Sequence, residues 1–144
     1  MKSEKRERNV TRWIKWAVTV VVLAFVFFTL VMGKITVEMG DDAIHLNGGL
    51  GADRTIAYRE IDGVQLVDQF DRGARKFGTG SHKLSSGAFQ NDLLGNYDCF
   101  AWNSCPSCVV VTCSGDGKPA AFNGQTQQET QALYEQLKEK CGLT

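Results

Sequence analysis

Between Lys15 and Lys34 the chain runs WAVTVVVLAFVFFTLVMG, eighteen residues without a charge. A helix of a soluble core would show a polar face, and here only Thr19 and Thr29 interrupt the apolar residues. At 1.5 Å rise per residue such a helix is about 27 Å long, close to the hydrocarbon thickness of a bilayer. Trp13 and Trp16 stand at its start, where indole rings favour the headgroup boundary. Lys15 and Lys34 flank it and are long enough to snorkel into that boundary. The run therefore predicts a transmembrane helix over residues 16–33, a basic tail over 1–15 and a separate body over 34–144.

Charge sets the expected orientation. Residues 1–15 carry six Lys/Arg against two Glu, whereas residues 34–144 carry ten against fourteen Asp/Glu, so a net charge of zero hides a basic tail and an acidic body. Positive residues before a span stay on the cytoplasmic side, which puts the N-terminus inside the cell membrane and the body outside. A cleaved signal peptide is the competing reading, with a poor site at Val31-Met32-Gly33, but the apolar run is long and no Ala-x-Ala follows. The absence of a cysteine just after the run argues against a lipoprotein. The acidic body gives no support for nucleic-acid binding, which needs clustered positive charge on the folded part.

From Lys34 the period shortens to that of strands. KITVEM and AIHLNG flank the acidic turn Gly40-Asp41-Asp42, a third strand ends near Tyr58, and GVQLVD forms a fourth. Between the last two, Arg59-Glu60-Ile61-Asp62 reads as one helical turn with Ile61 plugged into the core. Residues 70–96 are rich in glycine, with Gly73, Gly78, Gly80, Gly87 and Gly95 implying bends or bulges, and Phe77, Leu84, Phe89 and Leu93 offered for burial. YDCFAW and CVVVTC are expected to pair as a hairpin around Pro106, followed by a last strand PAAFN. Thr126 and Glu129 fit a helix-capping pair, and Leu133, Tyr134, Leu137 and Cys141 recur on one face of a C-terminal helix over about 126–141.

Short strands closed by one helix suggest a mainly β domain, either a small barrel or two packed sheets with the helix at one end. From about Thr55 to Lys140, the order of IAYREIDGVQLVD, RGARKFGTG, LSSGAFQNDLLGNY, CVVVTCSGDGKPAAFN and ETQALYEQL resembles the bacterial pleckstrin-homology-like (PH-like) domains of membrane-anchored proteins. The resemblance implies two roughly orthogonal antiparallel sheets, capped by the helix, and a binding or scaffolding role. Phosphoinositide-binding eukaryotic relatives hold phosphate on a basic loop between the first two strands. Here that loop is Met39-Gly40-Asp41-Asp42, which repels phosphate, so that ligand site does not carry over.

Four of the five cysteines fall between Cys99 and Cys113. Cys105-Pro-Ser-Cys108 has the spacing of a redox dithiol, but three valines follow where a thiol-activating helix should start. A zinc knuckle is the second reading. In the expected hairpin, however, Cys99/Cys113 and Cys105/Cys108 lie about 16–20 Å apart, too far for one ion. The third is a pair of disulfides, Cys99 to Cys113 and Cys105 to Cys108, which opposed strand positions tolerate and an extracytoplasmic site permits. That pairing leaves Cys141 over on the helix, to pack as a small apolar residue or to link two chains; five reduced, buried thiols are the plain alternative.

His45 and His82 are the only histidines, and no nucleophile elbow or metal pair accompanies them, so no enzyme activity and no cofactor are expected. Arg72, Arg75, Lys76, His82 and Lys83 concentrate positive charge in the glycine-rich segment. They form either an ordinary solvated surface or a contact surface for anions such as lipid headgroups or wall polymer. The sequence thus predicts a single-pass, membrane-anchored binding module. A thiol-disulfide protein built on Cys105 and Cys108 and an accessory subunit of a membrane assembly are the alternatives; the bilayer and a protein or second copy are the expected partners.

Overall fold

The computed structural model describes residues 2–31, 34–49, 52–80, 83–115 and 117–143. The chain divides into two units, Met1–Gly33 and Lys34–Thr144. The first is one helix, α1 (Lys2–Val31), so the basic tail is helical and continuous with the apolar run. Every described side chain on it from Ser3 to Phe28 is exposed. Thr19 donates its hydroxyl to the Lys15 carbonyl at 2.9 Å, and Thr11 does the same to Glu7. Back-bonding of this kind satisfies a hydroxyl inside the helix itself, so Thr19 needs no external partner. The expected end of the span at Met32 and Gly33 lies outside the described residues.

The second unit holds two sheets and a helix. β1 (Thr36–Met39), β2 (Ala43–Gly49) and β3 (Ala52–Ala57) form an antiparallel three-stranded sheet. A 3₁₀ turn, Tyr58–Glu60, then leads into β4 (Ile61–Val67), with Ile61 buried as the sequence suggested. β5 (Ala74–Gly80), β6 (Leu84–Asn91), β7 (Gly95–Trp102), β8 (Cys108–Cys113) and β9 (Ala120–Phe122) complete a six-stranded sheet in the order β4-β8-β9-β7-β6-β5. The small closed barrel does not form: β3 and β5 end their respective sheets and share no ladder among the described residues. Nor is every pair antiparallel, since β9 runs parallel to β7.

That insertion of β9 corrects the expected hairpin of residues 97–102 with Cys108–Cys113. β9 slides between β7 and β8, pairing Ala121 with both Cys99 and Val110. Ala120 and Ala121 are fully buried there, and their short side chains suit a slot between two larger strands. At the open end of the slot Asn123, 1% exposed, takes over from the ladder. Its Oδ1 accepts from the Trp102 amide at 2.6 Å, and its Nδ2 donates to the carbonyls of Trp102, Cys105 and Ser107 at 3.0–3.1 Å.

The helix α2 (Gln127–Cys141) starts at Thr126, whose hydroxyl accepts from the Glu129 amide, while the Glu129 carboxylate reaches back to the Gln125 amide. This capping is worth about 1 kcal/mol. Leu133, Tyr134, Leu137 and Cys141 pack onto the principal core, with Ile44, Leu46, Ile56, Phe100, Val109, Val111 and Phe122. Each fully buried large side chain contributes about 1.5–3 kcal/mol of transfer free energy. The other face of the six-stranded sheet carries a second core of Phe70, Phe89, Tyr97, Cys99, Cys108 and Val110. The segment joining β4 to β5 helps to close it: Phe70 stacks edge-on against Tyr97, and the Tyr97 hydroxyl donates to the Arg72 carbonyl at 2.7 Å.

Candidate functional site

Two regions carry the residues that the sequence singles out, and the structure treats them differently. Around the loop joining β7 to β8, residues 103–107, the four clustered cysteines divide among three environments: Cys99 of β7 and Cys108 of β8 share the second core, Cys105 sits in the loop and Cys113 ends β8, and all five thiols of the chain are free. Cys99 sits across β9 from Val110, and Cys113 pairs with Ile61 of β4. Two strand spacings alone place β7 and β8 about 9–10 Å apart, beyond the usual Cα separation of a disulfide. The opposed geometry that suggested a Cys99–Cys113 cross-link is therefore absent.

Cys105 and Cys108 also face different surroundings. Cys105 Sγ lies 3.4 Å from Thr130 Oγ1 and 3.6 Å from the Ser107 carbonyl, beside the first turn of α2. Cys108 belongs to the second core with Cys99 and is 0% exposed. Burial pushes the Cys108 thiol up to about 12, the Arg72 guanidinium opposing this only in part. The Cys99 thiol is likewise raised to about 11 by burial, partly offset by Arg72. A nucleophilic thiol needs the reverse shift. No group of three or more His, Cys, Asp or Glu arranged to hold a metal occurs among the described residues.

Arg72, taken from sequence as part of a cationic surface, is a fastener instead. Its Nη1 donates to Asn103 Oδ1 at 2.9 Å, and its Nη2 donates to the carbonyls of Trp102 and Cys105 at 2.9 and 3.2 Å. Ser107 Oγ ties the same loop to the Asp68 carbonyl and to Gln127 on α2. Arg72, between β4 and β5, and Asn123, just after β9, thus both hold the loop. Asn123 was invisible to motif reading; its only sequence signal is a side-chain amide directly after a buried Ala-Ala-Phe strand.

Arg75 and Lys76 are placed quite otherwise. Both are exposed on β5, and neither is engaged by an ion pair or hydrogen bond among the described residues. Lys83 is exposed in the turn before β6, and His82 lies outside the described residues. Phe77 and Leu93, offered for burial by the sequence, are 81% and 63% exposed, while Leu84 and Phe89 are buried. The register shifts between Arg75 and Phe77, leaving Lys76 as an extra residue in the strand. Such a bulge re-aims side chains, and Arg75, Lys76 and Phe77 all line one cleft of about 670 Å³.

That cleft lies between the end strands of the two sheets. β3 supplies Ala52 and Asp53, β5 supplies residues 75–78, and β6 and β7 contribute Gly87, Ala88, Asp98 and Phe100. Gly78 and Gly87 are directly paired, with φ of 127° and 126°, a region that side chains rarely enter. A Cβ on either would strike the backbone of the facing strand. Asp98 is already committed: its carboxylate accepts from Arg54 Nη1 at 2.8 Å and faces Lys118 Nζ at 3.4 Å. Because Arg54 is on β3 and Asp98 on β7, this part-buried pair clasps one sheet to the other where no ladder does.

The residues of the first unit expected to flank a membrane span are also exposed, Trp13 and Trp16 among them. Grooves beside Arg12, Trp13 and Trp16 are the relief of a single helix and enclose nothing.

No curated protein and no solved structure matches the chain. A family profile described as bacterial PH domain matches residues 35–118, more than half of the chain, taking in every strand from β1 to β8 and both walls of the cleft. The chain belongs to the bacterial PH domain family.

Proposed function

We propose that this protein is a non-catalytic binding or scaffolding module held at the cell membrane by α1, with its N-terminus cytoplasmic and its PH domain outside. The observation that carries this reading is the union, in one chain, of a bacterial PH domain with a 26-residue stretch, Ser3–Phe28, long and apolar enough to cross a bilayer and 0% buried. Leaving Phe25, Phe27, Phe28 and their neighbours in water forgoes about 1.5–3 kcal/mol for each large side chain, which lipid recovers. The basic residues between Lys2 and Lys15 supply the orientation. The absence of catalysis is supported by the state of the thiols. Cys108 is held protonated in an apolar core, and Cys105 is buried with its sulfur turned toward Thr130 on α2, so neither thiol of the pair is accessible to a substrate.

Anchoring and orientation are tested together. Cys113→Ser and Cys141→Ser remove the two partly exposed native thiols, and Asp92→Cys places a new one at an exposed position in the β6–β7 turn. Intact cells are treated with a membrane-impermeant maleimide. Recovery in the membrane fraction with labelling before lysis is the expected result. Labelling only after lysis overturns the orientation, and recovery in the soluble fraction overturns the anchoring.

A further inference from the structure

The cleft between β3 and β5 has three properties that together select an occupant. Both strands end their sheets, so each presents a row of backbone N–H and C=O groups without a sheet partner among the described residues. An extended polypeptide carries matching groups at matching spacing. Arg75 and Lys76 have no ion-pair partner among the described residues, whereas the Asp98 carboxylate is already taken up by Arg54 and Lys118. Phe77 adds an apolar surface that the fold leaves 81% exposed.

We propose that this cleft receives an acidic, extended peptide segment of another protein, about seven residues long to match β5, which adds as a strand along that edge. The proposal rests on the reading of the domain as a binding module and names its partner. A second copy of the chain is a poorer occupant, because Arg75 and Lys76 would oppose their own counterparts. An anionic lipid headgroup is also poorer, because a phosphate makes no use of the backbone row at the edge of β5. Acidic side chains alternating with apolar ones can meet Arg75 and Lys76 on one side and Phe77 on the other, while the peptide backbone pairs with the strand.

The test uses the full chain in mild detergent and a fluorescein-labelled heptapeptide of alternating Glu and Val, read by anisotropy. Membrane recovery is scored separately in cells, so a failure of anchoring is distinguished from a failure of peptide binding. Saturable binding is expected. Arg75→Glu with Lys76→Glu should weaken it at least about tenfold, as should N-methylation of one alternate set of peptide amides, which removes the hydrogen bonds to the strand. N-methylation of the other set should have little effect, and a Lys-Val heptapeptide should not bind. No saturable binding, or equal affinity for both N-methylated forms, overturns the proposal. So does binding to phosphatidylglycerol vesicles that needs Arg75 and Lys76 and is not displaced by the Glu-Val peptide, which would assign the surface to lipid. A concentration-dependent dimer abolished by Phe77→Arg would assign it to a second copy and overturn the proposal equally. Because 75, 76 and 77 are exposed, circular dichroism of each variant should match that of the parent chain.

Discussion

The loop at residues 103–107 and the strand β5 both stand out in the sequence, one for cysteines and the other for cations. In the fold they are opposites. The loop has its carbonyls held by Arg72 and Asn123, its Ser107 hydroxyl shared between Asp68 and Gln127, and its neighbouring thiol Cys108 sealed in a core. β5 has two cations with no ion-pair partner among the described residues and an aromatic ring standing in solvent. Polar groups that satisfy one another are spent on stability, and only groups left unsatisfied remain to meet a partner. A dense cluster of reactive residue types therefore says less about a site than the count of its remaining unused valences.

The largest effect expected from breaking this contrast is at the loop. Asn123→Ala removes four hydrogen bonds from a buried side chain: the Trp102 amide and the Ser107 carbonyl lose this partner outright, while the carbonyls of Trp102 and Cys105 keep Arg72. A loss of about 3 kcal/mol or more is expected, given about 1–3 kcal/mol for each buried group left unsatisfied. Urea unfolding of the full chain in detergent, followed by near-ultraviolet circular dichroism, measures it. A loss under about 1 kcal/mol would mean that water replaces the amide and that the loop is not organised from Asn123.

The second effect sharpens the contrast through pH. Cys99 and Cys108 have pKa values raised from 9.0 to about 11 and about 12, chiefly by burial. Over that interval the unfolded chain gives up protons that the folded chain keeps, so stability falls as pH rises. The contribution is fully present below pH 9 and drains away toward the folded values, with a loss on the order of 2 kcal/mol for each thiol by pH 11. Unfolding curves between pH 8 and 11 should show this slope, and the Cys108→Ala variant should flatten it. An unchanged slope in that variant would place the alkaline lability elsewhere.

The loop and β5 also mark what the sequence could and could not disclose. The apolar run, the strand series, the helical turn at Ile61 and the Thr126 start of α2 are local properties, written in hydrophobic period and capping chemistry. The PH resemblance likewise rests on local segments in order. Register between distant strands is not local. The three residues of β9 gave no hint that they would part β7 from β8, and the cross-strand geometry assumed for Cys99 and Cys113 failed with that hairpin. The role of Arg72 was hidden for the same reason, since its acceptors lie thirty residues and more away on a loop whose position depends on that insertion. An aromatic residue in a strand suggests core, but Phe77 follows a bulge at Lys76 that is set by pairing with β6, and it stands exposed. Of the five cationic candidates, Arg75 and Lys76 line the cleft, and Arg72 is structural.

The smallest expected effect on folding is the one that defines β5 as the reverse of the loop. Phe77→Ala, alone or with Arg75→Ala and Lys76→Ala, removes side chains that touch solvent and little else, so unfolding free energy should change by less than about 0.5 kcal/mol. Burying a ring of this size normally contributes about 1.5–3 kcal/mol, and a protein that leaves one exposed forgoes that stabilisation in the free state. If the ring is instead covered when a strand adds to β5, the gain appears on binding, and the triple variant should lose peptide affinity while its urea midpoint stays in place. A midpoint shift of 1 kcal/mol or more would show that Phe77 supports the domain itself, and β5 would then be a second structural region like the loop.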